Sequence, residues 1–181
     1  MGAPLMTGLR MNVADLLRRP GSTREVHLEA PVPGLENPST RVDPDQPISI
    51  DLRLESLSAA IVASGRVRGR WRAVCSRCLM PLEDDFDLSL REVFEEDPIE
   101  DETYPLRHEE IDLEQPIRDL IVPELPMVPL CDENCPGLCP SCGANLNEDP
   151  CACGSESRDP RWDALRALVI TDDPEHRSES N

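Results

Sequence analysis

The chain has 181 residues, enough for one domain with appendages or for two small ones. Its 36 acidic and 18 basic residues leave a formal net charge of −18, which excludes sequence-independent nucleic-acid binding over the whole surface, because that needs a positive field. Every basic residue is Arg, hydrophobic residues make up 39% and aromatics only 3%, so the core must be built from Leu, Val and Ile and is thin enough to call for staples.

The first eight residues read as unstructured. Residues 13–19 predict a short helix, ended by the turn signal Pro20-Gly21. Residues 24–30 read as a strand with Val26 and Leu28 on one face, and the proline-rich stretch 31–47 as a loop. Ile48, Ile50, Leu52 and Leu54 then alternate with Ser49, Asp51, Arg53 and Glu55, the period of a half-buried strand. A second strand is expected over 61–74, broken or bulged at Gly65 and Gly69, with Val67 and Trp71 opposite Arg66, Arg68, Arg70 and Arg72. A third is expected over 83–93, with Phe86, Leu88 and Leu90 inward and Asp85, Asp87 and Arg91 outward. Short connections between these runs imply an antiparallel meander with one face buried and one wet.

The acidic stretch 95–110 reads as a mobile loop. Asp112 is the expected N-cap of a helix over 113–124, which tolerates Pro116 early and ends at Pro123 and Pro126. Asp159-Pro160 opens a last helix, with Trp162, Leu165, Leu168 and Val169 on one face, and the tail 171–181 reads as disordered. The expected organisation is α+β: a sheet-plus-helix domain over 9–126, a zinc-ribbon-like cysteine-rich region over 127–170, then the tail.

No stretch reaches the ~18 apolar residues of a membrane span, and the first ten residues lack a basic cluster followed by an apolar run. The expected compartment is the cytoplasm, where thiols stay reduced, so the eight cysteines read as metal ligands before disulfides. They fall into four pairs: Cys75 with Cys78, Cys131 with Cys135, Cys139 with Cys142, and Cys151 with Cys153. A short chelating loop lets two thiolates reach one zinc ion without strain, and Cys139-Pro140-Ser141-Cys142-Gly143 has the form of a zinc knuckle. Eight sulfurs make at most two four-thiolate sites, so one or two structural Zn²⁺ are expected. Cys139, Cys142, Cys151 and Cys153 close a small loop and are assigned to one site. Cys75, Cys78, Cys131 and Cys135 then form the other. A rival partition, joining Cys131 and Cys135 to Cys139 and Cys142, strands Cys75 and Cys78 beside Cys151 and Cys153. Iron–sulfur ligation and a redox dithiol at Cys75/Cys78 are the competing chemistries.

A four-thiolate zinc has no open position, so it is structural, and no other residue set reads as catalytic. His27, His108 and His176 are isolated, and no phosphate loop or nucleophile elbow is present. The densest basic stretch is Arg66, Arg68, Arg70 and Arg72, with Arg77 inside the first Cys-x-x-Cys. Guanidiniums ~7 Å apart along a strand suit an RNA phosphate backbone. The preferred alternative is cross-strand pairing with Asp51, Glu55, Glu83, Asp85 and Asp87.

Five segments carry a family resemblance: 74–79 (around Cys75-Ser76-Arg77-Cys78), 110–113, 125–131, 137–147 (Gly137-Leu138-Cys139-Pro140-Ser141-Cys142-Gly143-Ala144-Asn145-Leu146-Asn147) and 159–161. Over roughly residues 9–170 the chain resembles the YceD family of bacterial and plastid proteins. The resemblance implies a non-enzymatic role in ribosome biogenesis, in the accumulation of large-subunit ribosomal RNA, with large-subunit rRNA or a basic ribosomal protein as partner and no small-molecule substrate. In that family the gene commonly neighbours one for a large-subunit ribosomal protein. Some relatives keep the first Cys-x-x-Cys and a His/Cys pair matching Cys131 and Cys135 while lacking most of the last cluster, which agrees with the preferred pairing. The rivals are a zinc-stabilised protein-binding adaptor unrelated to ribosomes and a thiol oxidoreductase.

Overall fold

In the computed structural model, which describes residues 8–148 and 151–153, the alternating run at Ile48 lies inside a six-stranded sheet. The expected helix after Asp159-Pro160 and the tail lie outside the described residues. In chain order the elements are β1 (Arg10–Asn12), α1 (Ala14–Leu17), β2 (Thr23–Ala30), β3 (Thr40–Val42), β4 (Ile48–Ser56), β5 (Ala60–Val74), β6 (Pro81–Glu95), β7 (Tyr104–Pro105), β8 (Glu110–Asp112) and α2 (Glu114–Ile121), followed by a 3-10 turn at Val122–Glu124. The class is α+β, mostly sheet with two short helices among the described residues. The large sheet runs β2-β4-β5-β6-β7, with β3 added to the far half of β5. β1 and β8 form a separate two-stranded sheet.

Alternation decides the faces. Ile50 stands opposite Val67, Leu54 opposite Ala63, and Ile61 opposite Phe94, all buried on one face. The other face pairs Arg68 with Asp87, Arg70 with Asp85, and Arg72 with Glu83. A one-residue slip would exchange the two sets, so the register is strongly specified. α1 packs on β4 and β5, and α2 on β6, closing the apolar face with Leu16, Ile117 and Ile121.

Four expectations are corrected. The stretch 31–47 is not all loop: Pro38 and Pro44 leave Thr40–Val42 free to extend, and Asn37 Oδ1 accepts the Ser39 and Thr40 amides to turn the chain into β3. β5 is neither broken nor bulged at its glycines, because Gly65 and Gly69 keep register with Leu90 and Phe86. They make room instead: a Cβ at Gly65 would meet the Asp51 carbonyl oxygen, and one at Gly69 would lie 2.5 Å from the Phe86 ring. The stretch 95–110 contains β7, parallel to the end of β6, where Tyr104 packs on Phe94 with ring centroids 5.7 Å apart. It also leads into β8, where Ile111 is buried opposite Met11. Helix α2 starts one residue later than expected, with the Asp112 carboxylate accepting the Glu114 amide at 3.0 Å. It passes at Val122 into the 3-10 turn that carries Pro123, whose missing N–H and ring end the α-helical ladder.

Contacts divide the chain into two compact units, one through Cys135 and one from Pro136. The sequence places a boundary near residue 126. The chain just after α2 is fastened within the first unit: Asn37 Nδ2 donates to the Leu125 carbonyl (3.0 Å) and Thr40 Oγ1 to that of Pro126 (2.7 Å). No helix among the described residues is long and apolar enough to cross a membrane.

Candidate metal centres

The β5–β6 hairpin outruns β4, and its turn is the first Cys-x-x-Cys. Val74 faces Pro81 at the last rung. Beyond it the Cys75 amide donates to the Met80 carbonyl (2.8 Å) and the Leu79 amide to that of Cys75 (2.9 Å), closing a tight loop. The Ser76 amide donates to the Pro129 carbonyl (2.8 Å), which lays the segment before Cys131 against this loop. Asp132 then turns the chain, its carbonyl accepting the Cys135 amide at 3.0 Å.

The result is a set of four sulfurs, from Cys75, Cys78, Cys131 and Cys135, all within 4.8 Å of one another. Cys75 and Cys135 sulfurs are 3.8 Å apart, and Cys78 and Cys131 sulfurs 3.5 Å. A zinc–sulfur bond of ~2.3 Å gives a tetrahedron edge of about 3.8 Å, so this spacing fits one ion. Cys75, Cys78 and Cys135 are buried, and Cys131 is exposed.

The second unit repeats the turn. The Cys139 amide donates to the Ala144 carbonyl (2.8 Å) and the Gly143 amide to that of Cys139 (2.8 Å). Gly143, with φ of +75°, occupies the place held in the first turn by Leu79, with φ of +61°. Leu138 bridges to Asn145 across this loop. Cys139, Cys142, Cys151 and Cys153 form a second four-sulfur set within 4.8 Å. Only Cys139 among them is buried. The structure thus brings together the preferred sets and not the rival partition.

The electrostatics match an ion's needs. The backbone amide of Cys78, with those of Cys131 and Arg77, outweighs burial and lowers Cys75 from 9.0 to about 6. The amides of Cys142 and Ser141 likewise bring Cys139 to about 6. Hydrogen bonding among the sulfurs, first with Cys135, then pushes Cys131 up to about 12, and that with Cys142 pushes Cys153 to about 12. Four thiolates cannot share so small a space unless a cation neutralises them. The donor set is all sulfur, which suits Zn²⁺, and sulfurs within 4.8 Å of one another surround a single ion rather than a multinuclear iron–sulfur cluster; a four-coordinate ion there keeps no open position. The residues therefore fit a structural metal.

The five candidate RNA-contacting arginines all have partners. Arg66 pairs with Asp87 (2.7 Å), Arg68 with Asp51 (2.7 Å), Arg70 with Asp85 (2.7 Å) and Arg72 with Asp43 (3.2 Å). Asp85 and Asp87 are held below the usual carboxylate range by hydrogen bonds from Arg70 and Arg66. Asp43, in the stretch read as loop, was not among the expected acids. Arg77 instead donates to the Glu133 and Cys135 carbonyls, both at 3.0 Å, and so clasps the two halves of the first site. Its place between Cys75 and Cys78 is the signal that could have shown this. The fastening by Asn37, Thr40 and Pro129 had no such signal, because it runs through backbone carbonyls.

These features define a small α+β protein with two four-cysteine sets, each able to hold a metal. The family model described as large ribosomal RNA subunit accumulation protein YceD matches residues 63–169. An uncharacterised protein of Mycobacterium tuberculosis is 37% identical over 171 residues, covering 89% of this chain and 81% of its own length. One of Mycobacterium leprae is 30% identical over 181 residues, covering 94% and 82%. The Arabidopsis thaliana chloroplast protein named large ribosomal RNA subunit accumulation protein YCED homolog 1 is 42% identical over 65 residues, 36% of this chain and 20% of its own. No solved structure matches. The chain belongs to the YceD family.

Proposed function

We propose that this chain is a non-enzymatic, cytoplasmic factor that supports accumulation of large-subunit ribosomal RNA during assembly of the large subunit. Zinc at Cys75, Cys78, Cys131 and Cys135, and at Cys139, Cys142, Cys151 and Cys153, staples it. The observation that carries the reading is the gathering of all eight cysteines into two saturated four-sulfur sets in a chain of this family. Saturated sets favour a scaffold over a catalyst. The thiol oxidoreductase alternative has one point in its favour, the lowered pKa of Cys75. Against it, that sulfur is fully buried, out of reach of a disulfide substrate.

Of the two partners expected, a basic ribosomal protein fits better than rRNA. The arginine face has spent its charge on neighbouring carboxylates, and the net charge of −18 repels phosphate. The test is depletion of the protein with measurement of mature and precursor large-subunit rRNA. The reading expects large-subunit rRNA to fall while small-subunit rRNA holds, and unchanged levels of both would remove it.

A further inference from the structure

Seven large hydrophobic side chains are exposed among the described residues, and five of them belong to the first four-sulfur set's surroundings: Val74, Leu79, Met80, Met127 and Val128. Val74 ends β5, Leu79 and Met80 form the hairpin tip, and the bond from the Ser76 amide to the Pro129 carbonyl brings the segment of Met127 and Val128 to the same place. Leu79 and Met127 are 61% exposed and Val128 67%. Scattered apolar residues need no explanation, but a cluster on one tip does.

Leu79 sharpens the point. Its φ of +61° lies in the left-handed region, where any Cβ is disfavoured. The second unit makes the same turn with Gly143 and follows it with Ala144 rather than a second large apolar residue. The turn therefore does not need Leu79-Met80. The fold uses little of the Leu79 side chain, which stands mostly in solvent, and leaves Met80 43% exposed. A left-handed, exposed Leu followed by a part-exposed Met, where Gly-Ala serves in the second unit, points to a use outside the fold.

Charge selects the occupant. Asp84, Glu124, Asp132 and Glu133 flank these segments and have no ion pair among the described residues. Of the nearby cations, Arg72 is taken by Asp43 and Glu83, and Arg77 is held by the carbonyls of Glu133 and Cys135. Arg41 on β3 has no ion pair among the described residues. We infer that this tip is a docking surface for a basic protein, one that seats an apolar side chain over Leu79 and Met80 and sets Arg or Lys against the rim carboxylates. RNA and an anionic membrane would meet those carboxylates with like charge, and a second copy would oppose them to themselves. The inference rests on the reading above only in expecting that the basic protein comes from the large ribosomal subunit.

The test uses the full metal-loaded chain. Proteins of the large subunit, purified singly, and protein-free large-subunit rRNA are titrated against the parent and two double variants. One, Leu79→Gly with Met80→Ala, copies the second turn; the other is Met127→Ser with Val128→Ser. At least one basic protein should bind the parent, more weakly at high salt. Each variant should lose at least ~10-fold in affinity while keeping its metal content and a cooperative melt. Absence of any bound protein, variants that bind like the parent, capture of rRNA alone, or an effect confined to self-association would each overturn the assignment. In a depleted strain whose rRNA has fallen, full rescue by Leu79→Gly/Met80→Ala would sink the docking surface and leave the ribosomal reading standing. Binding that persists where depletion leaves rRNA unchanged would sink the ribosomal reading and leave the surface standing.

Discussion

The two cysteine turns share one backbone and differ in everything around it. The first is the end of a long hairpin: three of its four sulfurs are buried, its second strand of ligands is fastened to β3 by Asn37 and Thr40, and its tip carries Leu79 and Met80. The second is a local loop: one sulfur of four is buried, Gly143 and Ala144 form the tip, and the ligands lie within 15 residues of chain. Sequence separation explains the difference. Linking Cys78 to Cys131, 53 residues apart, closes a loop that runs from β6 through α2, so an ion there constrains the sheet and α2 together, whereas one in the second set constrains only its own short loop.

The sharpest way to break that comparison is to remove one ligand from each set. Cys75→Ser should lose one ion per chain and lower Tm by more than about 10 °C, because the metal's binding energy is folding energy for the hairpin end. Cys142→Ser should also lose one ion, with a far smaller fall in Tm by calorimetry. Equal falls would mean that the two sites do not differ as described. Next in size is Gly69→Val, which would push a side chain into the Phe86 ring and Ile48 on the hairpin that carries the first site. A loss of about 1–3 kcal/mol in urea unfolding is expected. Exchange at the shared turn position should give opposite signs. Leu79→Gly relieves a left-handed Leu, while Gly143→Leu imposes one, each worth roughly 1 kcal/mol, read as stability for the first and as resistance of the bound metal to chelator for the second.

The smallest effects belong to the outer face of the sheet. Arg70→Ala should leave Tm within the scatter of the measurement, because its pairing with Asp85 is solvent-exposed. Asp85 is held below the usual carboxylate range by Arg70, so whatever it contributes is present above the unfolded carboxylate pKa and vanishes as pH falls through the lower folded value. A melt at acidic pH should therefore show no difference between parent and Arg70→Ala. Glu92 has the opposite sign. It lies on the inner side of β6 near Asp119, and burial, then that like charge, raises its pKa. Its cost appears as pH rises through the folded value, so Glu92→Gln should raise Tm at neutral pH and not in acid.

Much of this was written into the chain where the signal is local. The alternation from Ile48 to Leu54 set both faces of β4, and the four Cys pairs with their spacings anticipated both sulfur sets. What stayed hidden depends on distant partners. Thr40–Val42 has no pattern of its own and becomes a strand only because β5 outruns β4. Tyr104 looked like part of an acidic loop, and Ile111 carried no strand signal, because Phe94 and Met11, on which they pack, lie on other strands. Gly65 and Gly69 looked like breaks because a glycine that admits a neighbour and one that bends a strand read alike in sequence. The apolar tip was equally silent, since Leu79 and Met80 gain their meaning only when Met127 and Val128 arrive beside them.

Two all-sulfur sites that hold ions would staple a domain poor in aromatics. Elemental analysis of metal per chain on freshly purified protein, paired with a melt before and after chelation, tests this stapling most directly. Two zinc ions per chain are expected, with a collapse of the cooperative transition when they are stripped. A chain that carries no metal and unfolds at the same temperature with or without chelator would contradict it.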